Sequence, residues 1–266
     1  MYKRNTSLAA VALAALLAIS CGSSGGGAGD FNLISIEEEW QLGQQLSQDV
    51  ARQVRLSNDS TLNSYVSNMG QRIVAQTPAP FNQLPWHFHV VDDPAINAFA
   101  IPGGHIYVHT GLIANADNAA ELAGVMAHEI SHVTARHTTE QITRQYGLSV
   151  LAGLVLGQDP GALAQIAAQI VAGGALARFS RAAEEEADEL GIRAMAAAGY
   201  NPIGMATMFE ELLEHRQGQP GRVEQFFSTH PLTEERARNA RQRAEQIGDR
   251  GTLDEPGFQA ARARVT

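Results

Sequence analysis

His128-Glu129-Ile130-Ser131-His132 is the stretch that organises this chain, and the residues on both sides of it favour helix. One helical turn separates His128 from His132, so both imidazoles leave the same face and can bind one metal ion. Glu129 projects about 100° round from His128, where it can reach a metal-bound water without being a ligand. The stretch therefore predicts a metal site on a helix, equipped for metal-assisted hydrolysis.

A hydrolytic zinc site needs a third protein ligand and keeps one position for water. In the metzincin class a glycine follows the second histidine by three residues and a third histidine by six. Ala135 and Thr138 stand at those positions here, so that class is excluded. His137 lies five residues after His132, on a different face of a continuous helix, and is predicted to be structural.

A second helix offers a carboxylate as the third ligand. Glu184 and Asp188 are four residues apart and share a helix face. Glu184 can ligate the metal while Asp188 accepts a hydrogen bond from a ligand histidine, which fixes the tautomer of that imidazole. However, three consecutive glutamates, 184–186, are equally typical of a solvated helix face. The residues alone leave the third ligand open.

The chain before the motif helix predicts two helices and a small sheet. Apolar residues at helical spacing cover 36–56 and 62–76. A strand is predicted over 86–91. Residues 98–101 and 105–109 form a predicted β-hairpin around a Pro-Gly-Gly turn.

Beyond Asn118 the pattern is helical throughout. Asn118 with Glu121 predicts a capping box for a helix that runs through the motif to about His137. Further helices are predicted over 181–198, from Asn201-Pro202 to about 216, and over 233–247. The fold class is α+β, mainly helical, as a single domain with a small β-hairpin sheet beside the motif helix.

Two apolar stretches, 148–156 and 163–177, are each too short to span a membrane. They fall between the two helices that carry the candidate ligands. One hypothesis is that they form a helical lid or side wall that limits entry to unfolded or flexible chains. The alternative is that they are plain core.

The N-terminus predicts export. Residues 1–20 combine a basic start with an apolar run that is too short for a mature membrane helix. Leu17-Ala18-Ile19-Ser20-Cys21-Gly22 resembles the lipobox of bacterial lipoproteins, in which the cysteine is lipidated. Gly22 in place of aspartate favours the outer membrane within that resemblance. The alternative is an ordinary cleaved signal peptide that ends near a cysteine.

Residues 21–30 are then predicted to be the lipidated cysteine and a Gly/Ser tether, 31–248 the catalytic domain and 249–266 a loose tail. Cys21 is the only cysteine, so no disulfide supports the fold. Loss of Lys3 and Arg4 with the signal takes the formal charge from -9 to -11. An acidic mature protein argues against nucleic acid as a partner.

Four blocks together are similar to the gluzincin family that holds HtpX and the CAAX prenyl endopeptidases, and most of all to its soluble Oma-type members. The similarity covers roughly Ile36 to Ile247. Its four blocks are Asn97–Gly104, Thr110-Gly111-Leu112 with the His-Glu-x-x-His motif, Ser180-Arg181-x-x-Glu184-x-x-Ala187-Asp188, and Ser228-Thr229-His230-Pro231. The resemblance implies a zincin-type domain with one Zn²⁺ per chain. HtpX and the CAAX enzymes have transmembrane helices around the site. This chain lacks them there, and a lipid anchor would replace them.

The resemblance also implies roles for individual residues. The metal ligands are His128, His132 and Glu184, with Glu129 as general base and Asp188 as the partner of a ligand histidine. On that basis the chain is predicted to be a zinc endopeptidase of the bacterial envelope that hydrolyses peptide bonds in unfolded or misassembled envelope proteins. Rival interpretations are a chaperone-like assembly factor with a latent or structural zinc site, and a zinc hydrolase of peptidoglycan or lipid amides.

Two further assignments keep their alternatives. His230 is implied to donate to the oxyanion of the tetrahedral intermediate, but it can also be a fourth ligand in a resting state or a helix cap. The strand 105–109 is a candidate ledge whose free edge would pair with an extended substrate, with Asn97 as an extra anchor, unless Asn97 only satisfies its turn. The histidines that alternate along the strands form a second metal site or are surface and packing residues: His87, His89, His105 and His109.

Overall fold

The computed structural model describes residues 34–173, 178–218 and 220–265. Cys21, with the predicted signal peptide and tether, lies outside the described residues. The mainly helical α+β class is confirmed, since twelve α-helices and one small sheet make up the regular structure of the described ranges.

The helices fall into three runs along the chain. The first surrounds the sheet: α1 Ile36–Ala51, α2 Ser60–Val74, α3 Thr110–Asn115 and α4 Ala119–Thr134. The second follows the motif: α5 His137–Tyr146, α6 Leu148–Val155, α7 Pro160–Val171 and α8 Arg181–Ala197. The third closes the fold: α9 Ile203–Gly218, α10 Pro220–Thr229, α11 Glu234–Ile247 and α12 Pro256–Arg262.

The sheet has the order β1-β3-β2, with β1 His87–Val91, β2 Ala98–Ile101 and β3 His105–His109. β2 and β3 pair antiparallel, so the predicted hairpin is confirmed. Gly103 and Gly104 make its turn at φ of 80° and 74°, a conformation that costs glycine little. β3 also pairs in parallel with β1. The expectation that β3 offers a free edge is therefore wrong, because β3 is the central strand. β1 and β2 are the edge strands, and β1 also forms an isolated bridge between Val91 and Leu56.

The motif helix α4 lies at the centre of the fold, and every residue from Ala119 to Val133 is buried. α8 packs closely against it where Gly191 meets the backbone of His128: a Cβ at Gly191 would lie 3.0 Å from the His128 nitrogen. This close approach brings the carboxylates of α8 level with the histidines of α4.

Polar contacts set both ends of α4. The Asn118 side chain accepts a hydrogen bond from the N–H of Glu121 at 3.1 Å, and the Glu121 carboxylate accepts one from the N–H of Asp117 at 2.7 Å. The helix ends at Thr134, before the predicted His137, because Arg136 adopts a left-handed φ of 60°. The Arg136 guanidinium donates to buried Glu39 at 2.6 Å, which holds this turn against α1.

α6 and α7 form a bent hairpin, the covering hairpin, that packs on α1 and on one face of the sheet through an apolar cluster that includes Leu151, Leu154, Ile166 and Tyr107. No single described helix is long and apolar enough to cross a membrane, and α6 with α7, bent by 105°, passes only as a pair by length and composition.

The expectation of a loose C-terminal tail is wrong for its described part. α12 lies within it, and Phe258 is fully buried with its ring 6.4 Å from that of Tyr65 on α2. A single aromatic residue is too weak a pattern to predict this packing.

Candidate metal centre

Four side chains from three parts of the chain converge at the middle of the fold. One ligand atom from each of His128, His132, Glu184 and His230 lies within 4.8 Å of the others, and all four residues are buried. His132 Nε2 lies 3.0 Å from His128 Nε2 and 3.4 Å from Glu184 Oε1. Of the alternatives for Glu184, the solvated helix face is wrong, because its side chain is fully buried against these histidines.

His230 lies inside this cluster. It follows α10, and its backbone N–H donates to the carbonyl of Phe226 at 2.8 Å. Its Nδ1 lies 3.0 Å from Glu184 Oε1 and 3.2 Å from His128 Nε2, and its Nε2 lies 3.3 Å from Glu129 Oε1. The helix-cap alternative is wrong, because Thr233 caps α11.

Asp188 faces the remote nitrogen of a candidate ligand. Its Oδ1 lies 2.9 Å from Nδ1 of His128, one helical turn beyond Glu184 on α8. With its Nδ1–H donating to a carboxylate, His128 presents the lone pair of Nε2 toward the other three side chains.

Arg236 on α11 is a site residue that the sequence analysis missed. Its Nε and Nη2 donate to the two oxygens of Asp188, both at 2.8 Å, and its Nη1 lies 2.5 Å from Glu184 Oε2. The same Nη1 donates to the carbonyl of Pro231 at 3.1 Å, beside His230. α11 carries several other arginines, so nothing in its pattern singled this one out.

The charges in the cluster match a metal centre. Burial would raise the pKa of Glu184, but His230 and His132 beside it hold that pKa well below its ordinary value. Burial lowers the pKa of His132 well below its ordinary value, which keeps the imidazole neutral. A hydrolytic zinc site requires imidazole donors in the neutral form and an ionised carboxylate, and His132 and Glu184 meet these conditions. The residues present therefore fit zinc.

Glu129 and His230 lie next to each other at the edge of the cluster. Burial raises the pKa of Glu129, which has no exposed surface. Burial would lower the pKa of His230, but the carboxylates of Glu129 and Glu184 raise it. Glu129 is thus a carboxyl whose basicity is increased by its surroundings, which is the property needed in a general base near neutral pH.

The site is closed in this structure. A small cavity beside Glu129 is lined by Ala100 of β2, by Ile170 of α7 and by Phe179. The ring of Phe179 stacks on His132 with centroids 3.9 Å apart. The covering hairpin and Phe179, just before α8, therefore lie beside Glu129 and the candidate ligand His132.

Asn97 and the strand histidines lie outside the cluster. Asn97 is buried at the start of β2, and its Oδ1 has no hydrogen-bond partner within the described ranges. His87 and His105 stack with ring centroids 4.6 Å apart, and His89 lies 5.5 Å from His105. Of the residues described, no metal-binding group of three includes these histidines. Burial lowers the pKa of His89 to about 4 and of His105 to about 3, in line with the packing alternative.

Comparisons with known proteins agree with this geometry. The sequence profile of peptidase family M48 matches residues 60–244. The chain is 34% identical over 241 residues to the beta-barrel assembly-enhancing protease of Escherichia coli K12, covering 87% of this chain and 49% of that protein. The putative beta-barrel assembly-enhancing protease of Vibrio cholerae is 33% identical over 241 residues, again 87% of this chain and 49% of that protein.

A eukaryotic relative has similar identity. The mitochondrial metalloendopeptidase OMA1 of Schizosaccharomyces pombe is 32% identical over 213 residues, covering 78% of this chain and 61% of that protein. The chain spans about half the length of the bacterial relatives.

Proposed function

This chain belongs to peptidase family M48, and we propose that it is a zinc-dependent endopeptidase that cleaves unfolded or misassembled proteins of the bacterial envelope. The membership confirms the resemblance seen in its sequence motifs. The observation that carries the proposal is the convergence of His128, His132 and Glu184, with the Glu129 carboxylate beside them.

His128 Nε2, His132 Nε2 and a Glu184 oxygen would hold one zinc ion. A zinc ion bound there would supply the Lewis acidity needed to activate water and to polarise the scissile carbonyl. Glu129 accepts the proton of the attacking water and passes it to the leaving amine, a transfer that its raised pKa favours. Asp188, held by Arg236, fixes the ring of His128.

The edge strand β2 is the proposed substrate ledge. Ala100 of β2 lines the cavity beside Glu129, so a peptide that pairs with this strand would pass the base. Main-chain pairing gives affinity for extended chains without requiring a particular sequence. Asn97, with a buried Oδ1 that lacks a partner in the described structure, is proposed to anchor the peptide at the start of the strand.

The closed arrangement corresponds to a resting state in this proposal. His230 stands where a fourth ligand would be, within 3.2 Å of His128 Nε2 and of Glu184 Oε1, and so takes the space that the attacking water needs. Entry of a substrate requires His230, Phe179 and α7 to move, as lids do in other enzymes. We expect His230→Ala to increase cleavage of an unfolded test protein. A decrease would instead support the oxyanion role for His230.

The proposed location is the outer membrane, facing the periplasm, through lipid on Cys21. The lipobox resemblance and the names of the bacterial relatives support it. The expected result is incorporation of labelled palmitate in cells and its loss in Cys21→Ser, with release of the protein from the membrane fraction. Labelling of the serine variant would contradict the anchor.

The decisive test of the function is zinc content with cleavage of an unfolded protein, wild type against Glu129→Gln. Glutamine removes the proton acceptor but no ligand, so we expect one zinc in both proteins and hydrolysis only by the wild type. Normal turnover by the variant would overturn the mechanism.

A chaperone-like assembly factor is the second candidate, and the closed site favours it. In that case Glu129→Gln would still rescue the phenotype of a deletion strain, whereas a protease that acts by hydrolysis would not be replaced by this variant.

A further inference from the structure

The two histidines of the motif differ in what holds their remote ring nitrogens. Nδ1 of His128 faces a carboxylate oxygen of Asp188 at 2.9 Å. Nδ1 of His132 faces another imidazole instead, Nδ1 of His137, also at 2.9 Å. His137 is buried, and its other nitrogen, Nε2, lies 3.5 Å from Oε2 of the exposed Glu186 on α8.

A contact between two ring nitrogens needs one donor and one acceptor. His132 directs Nε2 toward His128 and Glu184, so that nitrogen must carry the lone pair if the cluster binds a cation. The proton of His132 is then on Nδ1, and this N–H donates to Nδ1 of His137. It follows that the proton of His137 is on Nε2, the nitrogen that faces Glu186.

The backbone break after α4 creates this contact. In a continuous helix, a residue five positions after His132 would lie on another face. The left-handed turn at Arg136 ends α4 and starts α5 at His137, which brings the His137 ring over that of His132, with centroids 5.0 Å apart. Phe179, stacked on His132 at 3.9 Å, restricts the same ring further.

We propose that His137 is a positioning residue for His132: it accepts the Nδ1–H of this ligand, fixes its tautomer and ring orientation, and is itself oriented by Glu186. The chain His132–His137–Glu186 thus does for one motif histidine what Asp188 with Arg236 does for the other. The inference rests on the proposed function only in taking the bound ion to be zinc.

The experiment measures zinc affinity by competition with a chromogenic chelator, without any turnover. His137→Leu removes the acceptor, and we expect zinc to bind about 10–100-fold more weakly, the usual cost of losing an outer partner of a ligand histidine. His137→Asp restores a carboxylate acceptor like Asp188 and should recover most of that loss. His89→Leu, at a stacked histidine outside the cluster, is the control and should bind zinc as the wild type does.

Two further readouts separate positioning from plain packing. The visible spectrum of the Co²⁺-loaded protein should change in His137→Leu and return toward wild type in His137→Asp. In the zinc-loaded wild type, ¹⁵N NMR of the histidine rings should show protons on Nδ1 of His132 and on Nε2 of His137. This last measurement needs no variant, so it decides the proposal even if His137→Leu fails to fold.

Unchanged zinc affinity in His137→Leu, no recovery in His137→Asp, or the opposite tautomers would overturn the inference. A wild type that binds zinc with these tautomers but hydrolyses no protein would overturn the proposed peptidase and leave the role of His137 intact.

Discussion

Two helical regions enclose the site and are built from opposite kinds of contact. The ligand scaffold, made of α4, α8 and α11, is held by directional polar contacts such as those of Arg236 with Asp188 and Glu184. The covering hairpin, α6 and α7, carries a single charged residue, Asp159, in residues 148–171. It packs mainly by apolar contact, with hydrogen bonds from Gln45 to the Val155 carbonyl and from Gln225 to the Val171 carbonyl, and Leu148 and Leu156 remain 44% and 69% exposed.

This difference suits the proposed mechanism, in which a fixed site is combined with a cover that moves. Charge-assisted hydrogen bonds are satisfied in one geometry only, which suits residues that must hold an ion. Apolar contact is non-directional, so the hairpin can shift on α1 at the cost of few polar contacts, such as the hydrogen bond from Gln45 to the Val155 carbonyl. Substitutions in the two regions test this division of roles.

Arg236→Met should produce the largest loss of stability. It leaves the buried carboxylates of Asp188 and Glu184 without their partner, which typically costs about 3–5 kcal/mol. Thermal unfolding of the metal-free protein measures the effect. Arg241→Met is the control, since Arg241 pairs with Glu210 on the surface and should cost about 0–1 kcal/mol. Equal effects of the two would show that the network around Asp188 does not hold the scaffold.

Ile170→Ala should separate stability from access. Ile170 is 2% exposed and lines the cavity beside Glu129, so truncation should cost about 2–5 kcal/mol and also increase cleavage of a flexible peptide. Leu163→Ala, on the same helix and away from that cavity, should lose similar stability without the gain in cleavage. A gain in both variants would indicate general loosening of the hairpin, and a gain in neither would contradict its role as cover.

Gly191→Val should drive the scaffold apart. Its side chain would meet the backbone of His128 and Ala127, where even a Cβ lies at 3.0–3.1 Å. Overpacking of this kind costs about 1–3 kcal/mol, and zinc content should fall with it. Gly153→Ala in the covering hairpin is the matched control, because its Cβ has no neighbour within 4 Å. That variant should unfold at the same temperature or slightly higher.

Glu211→Gln should have the smallest effect, and one that depends on pH. Burial, with Glu121 and Asp117 nearby, raises the pKa of Glu211 from 4.5 to about 7. A raised pKa in the folded state gives stability that is present below pH 4.5 and lost as the pH rises through 7. The glutamine avoids that loss, so its Tm should exceed that of the wild type by roughly 1–3 °C at pH 8 and match it at pH 4. Glu185→Gln, at an exposed position on α8, is the control for the loss of one carboxylate charge.

Local patterns sufficed for much of the fold. The N-cap at Asn118, the hairpin turn at Gly103-Gly104 and the helix from Arg181 each depend on residues close together in sequence, and each lies where the pattern predicted. The motif also named its own candidate ligands, because one helical turn places two histidines on one face.

Arg236 and His137 could not be predicted in the same way. Arg236 is one of several arginines on α11, and only the packing of that helix against α8 selects it. Helical spacing places His137 on a different face from His132, but the left-handed turn at Arg136, held by buried Glu39, breaks the helix before His137. The residues around Arg136 form no pattern that predicts this turn.

Local sequence patterns already reveal two imidazoles and a carboxylate on one helix, a carboxylate pair on another, and a small hairpin sheet beside them. Only the packing of distant segments makes β3 the central strand, brings His230 among the candidate ligands and lays the covering hairpin against the site. The difference comes from separation along the chain. Helix and turn patterns act over a few residues, whereas strand order, burial of His230 and the contacts of Arg236 arise only when distant segments exclude water together.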